Sequence, residues 1–242
     1  MPRWFGFLRS LVIYLNPWIR RRWRRFYDQL LSPGDLAIDV GAHLGTRARA
    51  MRSVGVRVIA LEPQEPFAGF LRRTLPAEVT LIEAAAGRAQ AEAEMAISSR
   101  HPTVSSLQSD FVSEASSKPG FQKVRWNDRQ RVQVVTLDGL IAEYGTPRYI
   151  KIDVEGYESE VLAGLSHPVE ILSVEYLPGF PDLTNTVLDT LAQRGKYRFN
   201  PVVGETGRFA WSEWKDAEAT REWLAALPPE SPSGDLFARL AQ

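Results

Sequence analysis

The sequence predicts an α/β protein built on a mostly parallel sheet that is flanked by helices. From residue 33 onward, short apolar runs alternate with segments of helical periodicity. This alternation is typical of parallel strands joined by right-handed crossovers. Two of the runs, 36–40 and 57–61, are almost continuously apolar, as expected for strands buried on both faces. A length of 242 residues suits one large domain over 33–242, preceded by a distinct region 1–32.

The elements are expected in a regular order along the chain. Strands are predicted at 36–40, 57–61, 79–83, 91–98, 132–136, 148–153 and 169–176, and helices at about 44–54, 65–75, 137–144, 158–164 and 184–194. Farther on, 197–203 and 208–211 are expected to form a hairpin and 217–227 a helix. The polar, serine-rich segment 99–130 is expected to be a lid or substrate loop. The Pro and Ser cluster 228–233 predicts a linker within a C-terminal tail, 228–242.

Region 1–32 is basic and aromatic. Residues 1–27 hold seven arginines and no acid, which leaves the rest of the chain with a formal charge of −7. Apolar side chains recur every three or four residues and predict an amphipathic helix, bent near Pro17. Two interpretations stay open: its aromatic face packs on the domain or on the second subunit of a homodimer, or residues 3–26 contact an anionic membrane peripherally. The segment is too short and too charged to span a bilayer.

The chain contains no cysteine. Disulfides and thiolate metal sites are therefore excluded, and a cytoplasmic location, peripheral at most at the inner face of the membrane, is expected. No small-residue cleavage site of a signal peptide follows the first apolar segment. No nucleic-acid partner is expected, since few aromatic residues interleave with basic ones after residue 27.

A glycine turn follows the first predicted strand, in the sequence LAIDVGAHLG at 36–45. Glu62 lies 21 residues after Gly41, and in nucleotide-binding α/β folds an acid about 20 residues past the turn receives the ribose hydroxyls. The middle glycine of a dinucleotide motif is missing, and Asp39 would repel a phosphate. A nucleoside ligand without phosphates fits better, and S-adenosylmethionine is the commonest such cofactor.

Six blocks resemble the FkbM-type family of S-adenosylmethionine-dependent methyltransferases. They are IDVGAHLGT at 38–46, VIALEP at 58–63, AAAG at 84–87, SSL at 105–107, VVTLDGL at 134–140 and KIDVEGYESEVLAGL at 151–165. Their order and spacing are similar to those of the family over about 33–177. The resemblance implies a Rossmann-like class I methyltransferase fold, S-adenosylmethionine as cofactor, and methylation of a hydroxyl oxygen on a sugar, glycolipid or secondary-metabolite acceptor.

The resemblance also implies a set of cofactor-binding residues. They are Asp39, Gly41, His43, Gly45, Glu62, Ala85, Ala86 and Gly87. Asp39 and Gly41 would line the methionine moiety, Glu62 the ribose and 85–87 the adenine. His43 stands where the family usually has asparagine, and two roles stay open for it: a replacement for the amide hydrogen bond at the turn, or a base near the substrate.

The KIDVEG block is expected at the carboxyl end of a strand, where open α/β sheets bind ligands. Asp153 and Glu155 could act as a general base, as an anchor for the substrate or the cofactor amine, or as ligands of a divalent cation. Lys151 is expected to pair with one of these carboxylates and to lower its pKa. Asp153 is the first candidate for the proton acceptor, followed by Glu155 and by His101 in the lid. Glu175, which ends the next strand, is expected to border the acceptor pocket or to pair with a lid residue.

The expected partner is a small or lipid-linked hydroxyl acceptor. Two other function classes stay open: an NAD(P)-type Rossmann oxidoreductase, which would share the fold, and a non-catalytic relative that binds a membrane through its arginine-rich segment. The absence of G-x-G-x-x-G and of a convincing Tyr-x-x-x-Lys pair counts against the oxidoreductase.

Overall fold

Ten strands and seven helices make up the part of the chain that this computed structural model describes, namely residues 11, 16–98, 104–108, 111, 112, 115 and 124–241. The strands are β1 (Leu36–Val40), β2 (Arg57–Leu61), β3 (Val79–Ile82), β4 (Ala85–Ala86), β5 (Ala91–Ile97), β6 (Asp128–Val135), β7 (Tyr149–Ile152), β8 (Ile171–Tyr176), β9 (Tyr197–Val203) and β10 (Gly234–Leu240). The helices are α1 (Pro17–Asp28), α2 (Thr46–Arg52), α3 (Phe67–Thr74), α4 (Leu137–Tyr144), α5 (Glu158–Ala163), α6 (Pro181–Ala192) and α7 (Ala217–Ala225).

The central sheet has seven strands in the order β3-β2-β1-β7-β8-β10-β9. Strand β10 runs antiparallel to both of its neighbours, whereas β3, β2, β1, β7 and β8 pair in parallel. A smaller sheet joins β4, β6 and β5. The predicted Rossmann-like fold, a mostly parallel sheet flanked by helices, is therefore confirmed.

Apolar side chains on both faces keep β1 and β7 at the centre of the sheet, and both strands are buried throughout. Ile38 and Ile150 pack on the face covered by α4, α5 and α6. Ala37 and Tyr149 pack on the opposite face, which α1 and α2 cover. This arrangement brings the carboxyl ends of β1, β2, β7 and β8 to one edge, the edge at which parallel sheets bind ligands.

Helix α1 lies on the domain through one face. It begins at Pro17, and the side chain of Asn16 accepts a hydrogen bond of 2.9 Å from the Trp18 amide, which is the usual role of an N-cap residue. Trp23 and Phe26 are buried, and the Phe26 ring lies 5.1 Å from the ring of Phe237 in β10. Docking on the domain is therefore correct for this part of the predicted helix, while residues 1–10 and 12–15 lie outside the described residues. Within the described chain, no helix combines the length and the apolar character that a membrane crossing needs.

The predicted C-terminal tail is wrong in part. Residues 234–240 form β10, which lies inside the sheet between β8 and β9, and Phe237 on it is fully buried. The predicted hairpin is also wrong, because β9 pairs with β10 and not with 208–211. Residues 208–211 are tied to β9 by other bonds, such as that of the Ala210 amide to the Pro201 carbonyl (2.8 Å). A short strand after a Pro and Ser cluster gives little local signal, so its partners decide its place.

Several boundaries also differ from the prediction. Strand β6 begins at Asp128, so the polar segment predicted as a lid ends earlier than expected. Helix α6 begins at Pro181, because proline is well suited to the first helical turn. The described residues 104–108 of the predicted lid lie against the domain, where Ser106 forms a bridge with Ala96 of β5. The remaining lid residues, 99–103, 109–110, 113–114 and 116–123, lie outside the described chain.

Candidate active site

A cavity of about 350 Å³ lies at the carboxyl ends of the central strands. Its size is within the range of small-molecule sites. Among the described residues, its wall carries one arginine and six acidic side chains: Arg47, Glu62, Asp153, Glu155, Glu175, Glu205 and Asp235. The wall is therefore strongly acidic. Apolar and small side chains complete it, among them Phe67, Ala84, Ala85, Ala86 and Met95.

The glycine turn after β1 forms one wall of the cavity. Gly41 lines it with a φ of +78°, and a Cβ atom there would lie 2.0 Å from the carbonyl oxygen of Asp153. Glycine is therefore required because β1 and the segment after β7 approach closely. Gly45 lies outside the cavity wall, and a Cβ atom there would meet Leu71 and Leu75 of α3. The structure thus does not bring Gly45 to the predicted cofactor site, because its position serves helix packing.

Glu62 presents a buried carboxylate to the cavity from the end of β2. Glu62 is 6% exposed, and its two carboxylate oxygens accept hydrogen bonds from the backbone amides of His43 (2.7 Å) and Gln64 (2.9 Å). Burial raises the pKa of Glu62 to about 7, against these backbone bonds, which lower it. Each oxygen keeps acceptor capacity beyond its one backbone bond. Glu62 can therefore accept hydrogen bonds from a ligand without losing its own supports.

His43 contributes to the turn chiefly through its backbone. Its φ is +51°, its amide bonds to Glu62, and its ring lies 4.2 Å from the ring of Phe67. Burial lowers the pKa of His43 to about 4, so the imidazole is neutral at pH 7. The bond to Glu62 that the turn needs comes from the main chain and not from the imidazole. His43 does line the cavity, as a neutral ring.

The predicted adenine-binding run is divided by the structure. Ala85 and Ala86 line the cavity together with Ala84. Gly87 lies outside the wall, where a Cβ atom would be 2.8 Å from Val134, and its carbonyl oxygen packs against Gly164. The small size of Gly87 therefore serves the contact between β4, β6 and the end of α5.

Asp39 lies behind the cavity wall and not in it. It is fully buried, and one of its oxygens lies 3.7 Å from the Lys151 ammonium. The same ammonium donates to Asp153 at 2.9 Å. Lys151 therefore bridges an inner and an outer carboxylate, and the predicted pairing of Lys151 with one acid is confirmed. Asp39 can influence a ligand through its ion pair with Lys151. It does not line the cavity, so it is not placed to contact the cofactor directly.

Three carboxylates meet at one part of the cavity wall. Oxygens of Asp153, Glu155 and Glu175 lie within 4.8 Å of one another, close enough to raise one another's pKa or to ligate one cation. Burial would raise the pKa of Asp153, but the Lys151 ammonium outweighs it and holds this pKa below its usual range. Burial, followed by the neighbouring carboxylates, raises the pKa of Glu155 and of Glu175 well above the usual range. Glu175, which was expected to border the acceptor pocket or to pair with a lid residue, lines the cavity.

Described parts of the predicted lid support this acidic group. The Ser106 hydroxyl donates to the carbonyl of Glu155 (2.7 Å), and Ser105 and Leu107 line the cavity. Glu155 itself has a φ of +53°, so the two acids of the KIDVEG block converge through a turn and not through extended backbone. His101, the predicted base in the lid, lies outside the described residues.

A second charged group, on the α1 side of the cavity, was missed by sequence reasoning. Arg47 in the first turn of α2 pairs with Asp235 (2.9 Å) and Glu205 (3.4 Å), and its guanidinium carbon lies 3.0 Å from the ring centroid of Trp23. The Trp23 indole N–H donates to Glu205. Among the described residues, the Nη1 atom of Arg47 is buried without a hydrogen-bond partner. The sequence signal that could have indicated this group is an arginine just after the glycine turn, among the small alanines of α2 that pack on the sheet.

Three solved structures show the range of proteins that the chain resembles. A precorrin-6y C5,15-methyltransferase from Geobacter metallireducens GS-15 is 14% identical over 91% of this chain and 87% of that one, with a TM-score of 0.45. An rRNA methylase from Streptococcus thermophilus is 10% identical over 90% and 94%, with a TM-score of 0.44. A TehB-like SAM-dependent methyltransferase from Corynebacterium glutamicum is 10% identical over 91% and 88%, with a TM-score of 0.44.

The sequence itself matches one protein family. No curated protein sequence matches the chain significantly. The profile of the methyltransferase FkbM domain matches residues 39–227, from the end of β1 to just beyond α7, and so includes most of the cavity wall. The protein therefore belongs to the FkbM family of S-adenosylmethionine-dependent methyltransferases.

Proposed function

We propose that this protein transfers the methyl group of S-adenosylmethionine to a hydroxyl oxygen of a sugar, glycolipid or secondary-metabolite acceptor. The observation that carries the proposal is the meeting of Asp153, Glu155 and Glu175 within 4.8 Å, in the same cavity that Glu62 lines. A hydroxyl group must lose its proton as the new O–CH3 bond forms, and a carboxylate within reach can accept it.

The residues of the cavity fit the parts of this cofactor. Glu62 retains acceptor capacity for the two ribose hydroxyls, and the small side chains of 84–86 leave space for a flat base. The Nη1 atom of Arg47, buried without a partner among the described residues, suits the methionine carboxylate. When bound, the cofactor supplies a methyl group already activated on a sulfonium. The protein then has to hold the acceptor oxygen in line and to receive its proton.

The charge of the wall supports the same choice of ligand. Six acidic side chains and one arginine line the cavity within the described chain. The ionised members of this wall, Asp153 above all because its pKa is lowered, attract the sulfonium and ammonium of S-adenosylmethionine and repel the pyrophosphate of a dinucleotide. This charge therefore counts against the NAD(P)-type oxidoreductase that the fold alone would permit.

Glu155 and Glu175 are better candidates for the proton acceptor than Asp153, although Asp153 is the first candidate on sequence grounds. Asp153 is bound to Lys151 and has a lowered pKa, which makes it a weak base. Burial and the neighbouring carboxylates raise the pKa values of Glu155 and Glu175, so that each, once ionised, is a stronger base than Asp153. Asp153 then serves as an anchor for the acceptor or for the cofactor amine.

A thermal shift measurement tests the cofactor. A ligand that binds only the native state raises the melting temperature, so saturating S-adenosylhomocysteine should raise it and NADH should not. A shift with NADH alone would overturn the assignment. Methyl transfer from labelled S-adenosylmethionine to a screen of sugars, each paired with its deoxy analogue, then tests the hydroxyl acceptor. Equal labelling of both members of every pair would exclude O-methylation at the missing position.

A further inference from the structure

Helix α1 has a second face that does not take part in packing on the domain. Its inward face is formed by Trp23, Phe26 and Tyr27, all buried. The outward side chains are Trp18, Arg20, Arg21, Arg24 and Arg25, which we term the arginine face, and all of them are exposed. Trp18 is 69% exposed and is the one large apolar side chain of the described residues found in this state.

The arginine face carries an unbalanced positive charge. No acid precedes Asp28 in the sequence, and within the described chain no ion pair joins Arg20, Arg21, Arg24 or Arg25 to a carboxylate. Arg22 differs, because its guanidinium donates to the Glu205 carbonyl (2.7 Å). Four guanidinium groups are therefore presented to solvent from about two turns of one helix, on a protein whose remaining charge is acidic.

We infer that the arginine face is a docking surface for an anionic lipid membrane. The Arg21 guanidinium lies 5.4 Å from the Trp18 ring centroid, so an amphipathic ring and a cation project side by side. Tryptophan prefers the headgroup level of a bilayer, and arginines beside it bind lipid phosphates. The same charges would also attract a nucleic acid, but Trp18 ends an acid-free and largely apolar stretch of sequence, residues 4–18, and a tryptophan in such a stretch matches the lipid interface better.

The position of α1 relates this surface to the cavity. Trp23 donates to Glu205 and stacks on Arg47, and both of these partners line the cavity. The arginine face therefore lies on the far side of the helix that supports this wall. If the proposed function holds, docking would hold the enzyme at the surface that carries lipid-linked acceptors. The surface consists of residues of α1 alone, so a test of membrane binding does not depend on transferase activity.

Vesicle sedimentation with the full chain tests the inference. The probes are phosphatidylcholine vesicles and vesicles that also contain phosphatidylglycerol. Wild-type protein should sediment with the anionic vesicles and be released by salt. Each basic residue near an anionic surface strengthens partitioning roughly fivefold, so R20Q/R21Q/R24Q/R25Q should weaken it by at least about tenfold. These positions are exposed, and circular dichroism should show an unchanged fold, whereas deletion of the helix would remove the buried Trp23 and Phe26.

A matched control removes the same charge elsewhere. R57Q/R129Q/R131Q/K196Q changes four exposed basic side chains outside α1, and its vesicle binding should stay within about twofold of wild type. W18A should weaken binding to anionic vesicles with no change in net charge. Three results would overturn the inference: no sedimentation of the wild type with anionic vesicles, an equal loss in both four-site variants, or tighter binding to duplex RNA than to these vesicles at the same ionic strength.

Discussion

Two buried cations, Lys151 and Arg47, govern the charge of the site at the scale of single residues. Lys151 is 3% exposed in its side chain and serves Asp39 and Asp153. Arg47 is 12% exposed in its side chain and serves Asp235. Removing one partner of such a buried pair leaves an uncompensated charge and is strongly destabilising. Substitution of either cation is therefore expected to destabilise the fold, so a test of its proposed role in ligand binding has to compare two ligands that differ in one charged group.

Arg47→Met should weaken binding of S-adenosylhomocysteine and spare 5′-methylthioadenosine, which lacks the amino-acid moiety. A hydrogen bond to a charged group is worth about 1.5–3 kcal/mol, so the affinity for S-adenosylhomocysteine should fall by roughly 10- to 150-fold. Isothermal titration of both ligands measures this ratio. Arg49→Met, on the same helix but bonded to Thr74, is the control and should leave the ratio unchanged. Equal loss of both ligands in Arg47→Met would contradict the assignment.

The acidic group predicts the pH dependence of turnover. A carboxylate accepts a proton only when it is ionised, so kcat should rise with pH as the raised pKa of Glu155 and Glu175 is passed. Glu175→Gln should lower kcat by roughly 10²- to 10⁴-fold while the affinity for S-adenosylhomocysteine stays the same. Rates measured at saturating substrates from acid to alkaline pH check this. A pH-independent wild-type rate would argue against a carboxylate base, and activity lost to EDTA and restored by Mg²⁺ would assign the group to a cation.

At the scale of elements, the turn between β1 and α2 is constrained by the segment after β7. Gly41→Ala should destabilise the protein far more than Gly34→Ala. Both glycines have positive φ, +78° and +90°, but a Cβ atom at Gly41 would lie 2.0 Å from the Asp153 oxygen, whereas one at Gly34 would meet nothing within 4 Å. Gly34→Ala should cost about 1–2 kcal/mol, the left-handed backbone penalty.

Urea denaturation of both glycine variants measures the difference between them. Gly41→Ala should exceed the Gly34→Ala cost by several kcal/mol or fail to fold, because backbone and not a flexible side chain blocks the added methyl group. Equal losses of stability in the two variants would contradict this prediction, because they would mean that the turn after β1 and the segment after β7 can move apart without cost.

At the scale of the whole molecule, a surplus of buried carboxylates should make the fold less stable as pH rises. Burial raises the pKa of Glu62 and Glu158 from 4.5 to about 7. Their folded state holds protons more tightly than the unfolded state, so their contribution to stability is complete below pH 4.5 and is lost as pH rises through 7. These two buried acids should therefore make the protein more stable in mild acid than at pH 8.

Glu158→Gln isolates one of these acids. The side chain is buried and accepts the amides of Val154 (3.2 Å) and Gly156 (3.3 Å), which an amide oxygen can also accept. The variant should be more stable than wild type at pH 8, by at most about 3 kcal/mol, and the gain should vanish near pH 4.5. Melting temperatures of both proteins across this range measure it. Glu160→Gln is the control, because Glu160 lies on the same helix but is partly exposed and paired with Arg88. This variant should gain no stability at pH 8, and a gain similar to that of Glu158→Gln would contradict the burial argument.

The sequence by itself determined the parallel sheet, the glycine turn, Glu62 and the KIDVEG block. Each of these depends on local signals: apolar runs, a fixed spacing, and acids directly after a strand. Only the tertiary structure decided that β10 lies inside the sheet, that Lys151 bridges Asp39 and Asp153, and that Glu175 joins the acids of the KIDVEG block. The Arg47 pair with Asp235 spans 188 positions. Such contacts join elements that are distant along the chain, so no local pattern encodes them, and they exist only once the sheet has brought the strand ends together.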